Sequence, residues 1–236
     1  MARLTRQELK KDEFAERFAV VQEWFLQNEK SIGKAAVIAV VAVAVLFGGY
    51  VLLRNRQNHA AAGFTSALST FHAVVSETPP AGYVGPHFKT DADKYQQALK
   101  EFSEIASRYS WMRQGKFARY YVALCERDLG KTQDAERDLK DIASGGNAEL
   151  ASLAKMALAG LYEQSGRNDE AEKIYRELAA KPTSTVPKPT AELALADLLR
   201  TTKPDQAKQL YQQIQKDYAG MAAADEASKI LEAHAQ

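Results

Sequence analysis

The apolar positions of the chain follow two patterns. Between Ala35 and Leu53 (AAVIAVVAVAVLFGGYVLL) they are continuous, 19 residues without one charged side chain. A helix of that length spans roughly 28 Å at about 1.5 Å per residue, close to the hydrocarbon thickness of a bilayer. Lys30 and Lys34 flank the run on one side and Arg54 and Arg56 on the other, while Trp24 and Tyr50 stand where interfacial aromatics sit. It is longer than a signal-peptide core and follows a long tail, so it predicts an uncleaved membrane anchor. Elsewhere the apolar residues recur at helical spacing. Phe14, Phe18, Val21 and Phe25 give an amphipathic helix over Gln7–Asn28. Phe64, Leu68, Phe71 and Val75 give another over Arg54–Ser76, continuing from the anchor.

Beyond residue 90 the pattern repeats. Phe117–Asn147 aligns with Leu153–Thr183 at an offset of 36, matching Gly130 to Gly166, Ala135 to Ala171, Leu139 to Tyr175 and Ile142 to Leu178. Adding 36 again reaches Ala207, Tyr211 and Ile214, and Ala98, Phe102 and Ile105 carry the same spacing upstream. Each unit then reads as two helices joined by a tight turn. The small residue lets the second helix approach its partner, and the bulky one four positions later fills the space between units. Gly130 and Gly166 end the first helices in a left-handed conformation, and Lys203-Pro204 turns the third unit by another route. The pattern predicts helix pairs at 115–129 with 132–144, 150–165 with 168–180, and 189–201 with 204–217. A first divergent pair joins the helix after the anchor to 91–108, and a helix at 221–234 caps the open end. The chain therefore divides into a tail (1–34), a transmembrane helix (35–53), a linking helix with a Pro/Gly-rich loop (54–90), and a repeat domain with its cap (91–236). The fold class is all-α. The loops Glu77–Thr90 and Lys181–Pro189 read as surface insertions.

Charge adds an exclusion. The formal net charge is +1, far from the basic balance of a nucleic-acid-binding surface. Cys125 is the single cysteine and lies on a core stripe, so no internal disulfide or cysteine metal site is expected. The four histidines, His59, His72, His87 and His234, share no ligand spacing, and no HExxH, Walker A or GxSxG occurs. The run Asp134, Glu136, Asp138 and Asp141 reads as a solvated face. These observations point away from an enzyme and call for no cofactor or metal.

The unit around Leu158-Ala159, Tyr162, Gly166, Ala171, Tyr175 and Pro182 resembles the tetratricopeptide repeat, although the pitch is 36 rather than that family's usual 34. The resemblance covers residues 90–218. It implies a solenoid that binds proteins on its concave side through the first helix of each unit. Carried over position by position, that side holds Tyr120, Leu124, Arg127 and Asp128. In the next unit it holds Met156, Gly160, Glu163 and Gln164, and in the third Glu192, Ala196, Leu199 and Arg200.

The order of parts carries a second resemblance. An aromatic-rich tail with Phe25 and Asn28-Glu29-Lys30, one Ala/Val/Gly-rich span, and Ala60–Val75 leading into degenerate repeats look like the YfgM-like family. That likeness implies a bacterial inner-membrane protein, an ancillary subunit of the Sec translocon. Its repeats would lie in the periplasm, and its partners would be translocon subunits, periplasmic chaperones or client chains. Arg17, Lys30 and Lys34 against Arg54 and Arg56 favour the same orientation only slightly. An envelope-assembly or cell-division scaffold binding a folded partner is the alternative, and an adaptor with cytoplasmic repeats a third.

Overall fold

The computed structural model describes residues 19, 23–24, 29–79 and 82–233. By its contacts the chain falls into two units, Met1–Asn58 and His59–Gln236. Helix α1 (Glu29–Phe71) contributes to both.

In the first unit α1 runs without interruption through Ser31-Ile32-Gly33. From Ile38 to Asn58 every residue is exposed. An 18-residue window in this helix has a mean hydropathy of 1.9, and none of it is buried. Burying an apolar side chain is worth about 1.5–3 kcal/mol, so a helix that leaves Val40, Leu46 and Phe47 uncovered forgoes that gain repeatedly. Among the described residues it is the helix long and apolar enough to cross a membrane. The amphipathic helix expected over Gln7–Asn28 lies outside the described residues except for Ala19, Glu23 and Trp24, which are helical.

In the second unit the same helix changes character. Ala60 and Ala67 are fully buried, and Phe64, Leu68 and Phe71 pack against the cluster that holds Phe102 and Ile105. The helix stops at Phe71, short of the expected Ser76. β-Branched Val74 and Val75 instead form a two-residue strand, β1, paired in parallel with β2 (His87–Phe88). The Ser76 amide donates to the Phe88 carbonyl at 2.9 Å, so the Pro/Gly-rich loop is closed at its base.

Eight helices follow: α2 (Asp91–Arg108), α3 (Arg113–Asp128), α4 (Thr132–Ala143), α5 (Ala148–Gln164), α6 (Asn168–Ala180), α7 (Lys188–Thr202), α8 (Pro204–Asp217) and α9 (Ala222–Ala233). Local chemistry sets their ends. The Thr90 hydroxyl accepts the Asp93 amide at the start of α2, and the Asn147 side chain accepts the Leu150 amide at the start of α5. Pro204 opens α8 at a position where a missing N–H costs nothing.

The turns after α3 and α5 are copies of one another. Gly130 and Gly166 sit at φ +75° and +74°. Lys131 N–H reaches the Glu126 carbonyl and Gly130 N–H the Arg127 carbonyl; Arg167 and Gly166 repeat both bonds to Tyr162 and Glu163. This is the Schellman arrangement, and its left-handed residue favours glycine. After α7 there is no glycine. Lys203 closes one helix and opens the next, donating its amide to the Leu199 carbonyl at 2.7 Å.

The repeat register holds throughout the second helices. Ala98, Ala135, Ala171 and Ala207, and Phe102, Leu139, Tyr175 and Tyr211 four positions on, are all buried. So are Ile105, Ile142, Leu178 and Ile214. Consecutive helices from α2 to α9 each pack on the next, and α9 also touches α7. The proline-rich segment before α7 is anchored rather than free. Glu149 accepts the amides of Ser184 and Thr185 at 3.3 and 2.9 Å, Thr185 Oγ1 donates to the Glu149 carbonyl, and Val186 is buried. Those hydrogen bonds, from Ser184 first and then Thr185, hold the Glu149 carboxyl down at about 2.

Candidate partner-binding surface

The first helices α3, α5 and α7 should present the concave side, and only part of the predicted set is available there. Leu124 is buried beside Ala123 and Cys125. Leu199 is 2% exposed and Ala196 fully buried, both within the main hydrophobic core. Glu192 is buried as well, accepting the Tyr218 hydroxyl at 2.7 Å and pairing with Lys188 at 3.4 Å. These residues are thus packed within the repeats, away from the surface where a contact role was expected of them. The spacing rule that selects a helix face does not register how tightly a short array closes its last turn.

The other candidates reach the surface. Tyr120 is half-buried, its ring edge-on to Tyr121 at 5.5 Å, and burial pushes its phenol up to about 12. It therefore acts as a neutral hydrogen-bonding group on an apolar body. Met156 and Gly160 are half-buried, while Gln164 and Arg200 are exposed. Arg127 Nε bonds Asp128 Oδ1 at 2.8 Å, which leaves both groups at the surface but paired. Glu163 is half-buried; burial first, and this carboxylate second, push the Tyr175 phenol upward. Arg200 also lines a recess of about 440 Å³ between α8 and α9, with Tyr211, Gln212, Ile230 and Leu231.

A second feature lies outside the predicted set. Glu136 on α4 receives Arg167 on both oxygens, at 3.1 and 2.7 Å, and pairs with Lys140 at 2.7 Å. The Tyr162 hydroxyl donates to it at 3.3 Å, and the Arg167 guanidinium stacks over the Tyr162 ring at 4.0 Å. The bonds from Arg167 and then Lys140 hold the Glu136 carboxyl at about 2. One repeat later, Glu172 pairs with Lys203 at 2.8 Å and Arg176 at 2.8 Å. All three partners are shifted by 36: Glu136 to Glu172, Lys140 to Arg176, Arg167 to Lys203. These clusters join successive repeats. The expected solvated face of Asp134, Glu136, Asp138 and Asp141 is thus ion-paired throughout, with Arg137 holding Asp134 and Asp138, and Arg119 holding Asp141. The same offset that revealed the core would have revealed Glu136 and Glu172, had it been applied to charged residues too.

Cys125 is fully buried and its thiol is pushed up to about 12, first by burial and then by Asp128 and Glu126. It is an inert packing residue at neutral pH. Among the described residues no group of three His, Cys, Asp or Glu could hold a metal ion.

Stacked two-helix units with a small residue and a bulky one four positions later, closed by a capping helix, define a helical-repeat scaffold of the tetratricopeptide type. The model of the tetratricopeptide repeat-like domain family matches residues 22–232, and the chain belongs to that family. Among solved structures it is similar to the nearly identical tetratricopeptide-like repeats of a putative kinesin light chain from Podosopora anserina. A single-substitution form of those repeats is 14% identical with a TM-score of 0.50, over 59% of this chain and 76% of that one. A second structure of the same repeats gives 13% identity and a TM-score of 0.49 over the same shares. At such identity the likeness concerns the fold. No curated protein shows significant sequence similarity. Repeats of this kind generally serve as non-catalytic surfaces for binding other proteins.

Proposed function

We propose that this protein is a membrane-anchored scaffold whose repeats bind protein partners on the α3–α5–α7 side. The observation that carries the reading is the run from Ile38 to Leu53, apolar and exposed on all sides, in a chain whose other helices bury their apolar faces. Insertion in a bilayer is the environment in which such a helix loses nothing. A tether also raises the effective concentration of a weak site for anything emerging at the same membrane.

The finer reading rests on the likeness to the YfgM-like family. It places the anchor in a bacterial inner membrane, the N-terminus in the cytoplasm and the repeats in the periplasm. There the repeats assist secreted or envelope proteins beside the Sec translocon. Tyr120 and Met156 supply apolar contact, and Arg127, Glu163, Gln164 and Arg200 polar contact.

Orientation is tested by labelling a Gln133→Cys variant with a membrane-impermeant thiol reagent. Gln133 is exposed, and buried Cys125 stays silent. Labelling in cells stripped of outer membrane is expected; labelling only after lysis overturns the periplasmic placement. Photo-crosslinkers at Tyr120 and Met156, read by mass spectrometry, test the partners. Translocon subunits or unfolded secretory chains are the expected products, and one folded envelope protein would replace this reading with the alternative.

A further inference from the structure

Within the repeat unit, the first helix pair is antiparallel. Phe71 lies against Tyr95 and Phe64 against Phe102, with ring centroids 5.5 and 5.7 Å apart, and a Cβ on Gly63 would stand 3.7 Å from Ile105. As α1 runs from Gly63 back towards His59, α2 runs from Ile105 on to Arg108. The turn between α2 and α3 therefore lies at the end of this unit where the chain enters it. Six residues, Arg54–His59, separate that entry from Leu53. They take up about 9 Å as helix and no more than about 20 Å if fully extended. Headgroups occupy roughly the first 5–8 Å outside the hydrocarbon.

The side chains on this turn are unlike those elsewhere on the unit. Trp111 is 56% exposed, the most exposed Phe, Tyr or Trp among the described residues of the repeats. It is held out on a rigid turn. Met112 beneath it is buried and donates its amide to the Tyr109 carbonyl at 2.8 Å. The missing side chain of Gly115 lets α3 pass directly over that carbonyl. From Ile105 to Cys125 the sequence has four basic residues and no acidic one. Arg119 is paired with Asp141, and Arg113 sits 5.4 Å over the Phe117 ring. Arg108, Arg113 and Lys116 are exposed and make no ion pair among the described residues. Glu104, one turn before Arg108, is the closest acidic residue in sequence. Beside the turn, Lys116, Arg119 and Ser110 line a recess of about 460 Å³ that also takes in Asp141 and the Gly145-Gly146 backbone.

We propose that this edge of the repeats is a second membrane contact, resting on anionic lipid headgroups. Trp111 enters the interface, where an indole has an apolar body and a wet N–H to satisfy together. Arg108, Arg113 and Lys116 meet the lipid phosphates, an attraction that adds up charge by charge and falls off within a Debye length. The inference rests on the reading of Ala35–Leu53 as an inserted span, since six residues tether the entry end of the repeats to Leu53.

The test uses the full chain with Trp24→Phe, leaving Trp111 as the single tryptophan. It is reconstituted into vesicles of phosphatidylcholine alone, or with about a third phosphatidylglycerol. Both leaflets carry a lipid nitroxide at headgroup depth, so insertion in either direction is read alike. Flotation after a high-salt wash reports the span, and quenching of Trp111 reports the edge. Flotation with quenching in the anionic vesicles, weaker in the neutral ones and lost in the triple variant Arg108→Glu, Arg113→Glu, Lys116→Glu, is the expected result. The three sites are exposed and outside the core, and far-ultraviolet circular dichroism confirms that the variant is folded. Flotation with Trp111 unquenched in both vesicles overturns the headgroup contact and leaves the span standing. Quenching that neither lipid charge nor the triple variant alters overturns the role of the cations. Failure to float overturns the span, and the contact with it.

Discussion

Where α1 and α2 meet α3, the joint is aromatic. Phe64, Phe71, Phe102 and Tyr121 touch ring to ring at centroid distances of 4.8 to 6.3 Å, with Phe102 and Tyr121 stacked. Where α4 meets the α5–α6 turn, and again where α6 meets the α7–α8 turn, the same second-helix spacing closes the core but a carboxylate finishes the joint. The aromatic joint draws mainly on apolar burial and so tolerates the divergent geometry of a unit whose first helix is the end of α1. The ionic joints fix distance and angle, which suits units that must repeat. Offset stacking and edge contacts add about 0.5–1.5 kcal/mol per ring pair beyond burial. A half-exposed ion pair adds about 0–1 kcal/mol. The first joint should therefore dominate stability and the later ones should tune it.

Removing the centre of the aromatic joint is the strongest way to break this contrast. Phe102 is fully buried and touches Phe64, Phe71 and Tyr121. Phe102→Ala leaves a cavity and should cost about 3–5 kcal/mol. Urea unfolding of the full-length protein in detergent measures it. A loss below about 1 kcal/mol would mean that the ionic joints, not the rings, hold the stack.

Smaller effects are expected at the turns. Gly130→Ala and Gly166→Ala each force a Cβ into the left-handed region with nothing within 4 Å to clash. Each should therefore cost the conformational penalty alone, about 1–2 kcal/mol. Equal losses in the two melts would support equivalent turns. A much larger loss at one would show that its neighbouring joint depends on turn geometry.

How much of this was legible beforehand follows from the kind of force involved. The Ala98/Phe102/Ile105 spacing and its three copies are periodic and apolar, and burial rewards them wherever they occur, so the helix pairs came out within a few residues of their observed bounds. The end of α1 did not. Val75 continues a helical stripe, yet its β-branched neighbourhood pairs with His87–Phe88, a partner set by a loop rather than by period. The exposure of the candidate residues was half legible. Tyr120 and Met156 depend on helix face alone, whereas Leu199 sits in the core and Glu192 takes the Tyr218 hydroxyl 26 positions away, a long-range contact that spacing does not encode. Glu136 was legible as an acidic residue repeated at Glu172, but not its bond to Arg167, 31 positions away.

The two ionic joints differ at three positions, Lys140 against Arg176, Arg167 against Lys203 and Tyr162 against Leu198, and the last of these sharpens the contrast furthest. Tyr162 puts a ring under Arg167 and a hydroxyl on Glu136, whereas its counterpart 36 residues on is Leu198, so Lys203 holds Glu172 without either. Glu136→Gln should cost about 1 kcal/mol, discounted because Arg167 and Lys140 remain partly solvated, and Glu172→Gln less. Acid provides the internal check. A carboxyl held at about 2 in the folded state, against 4.5 ordinarily, contributes its full stability above about pH 4.5 and loses it as the pH falls towards 2. The gap between wild type and Glu136→Gln should shrink over that window, since protonated Glu136 and Gln offer Arg167 the same neutral partner. A gap that stays constant from pH 5 to 2 would mean that the Glu136 cluster is geometric rather than electrostatic, and that the ionic joints stabilise the repeats by packing, as the aromatic one does.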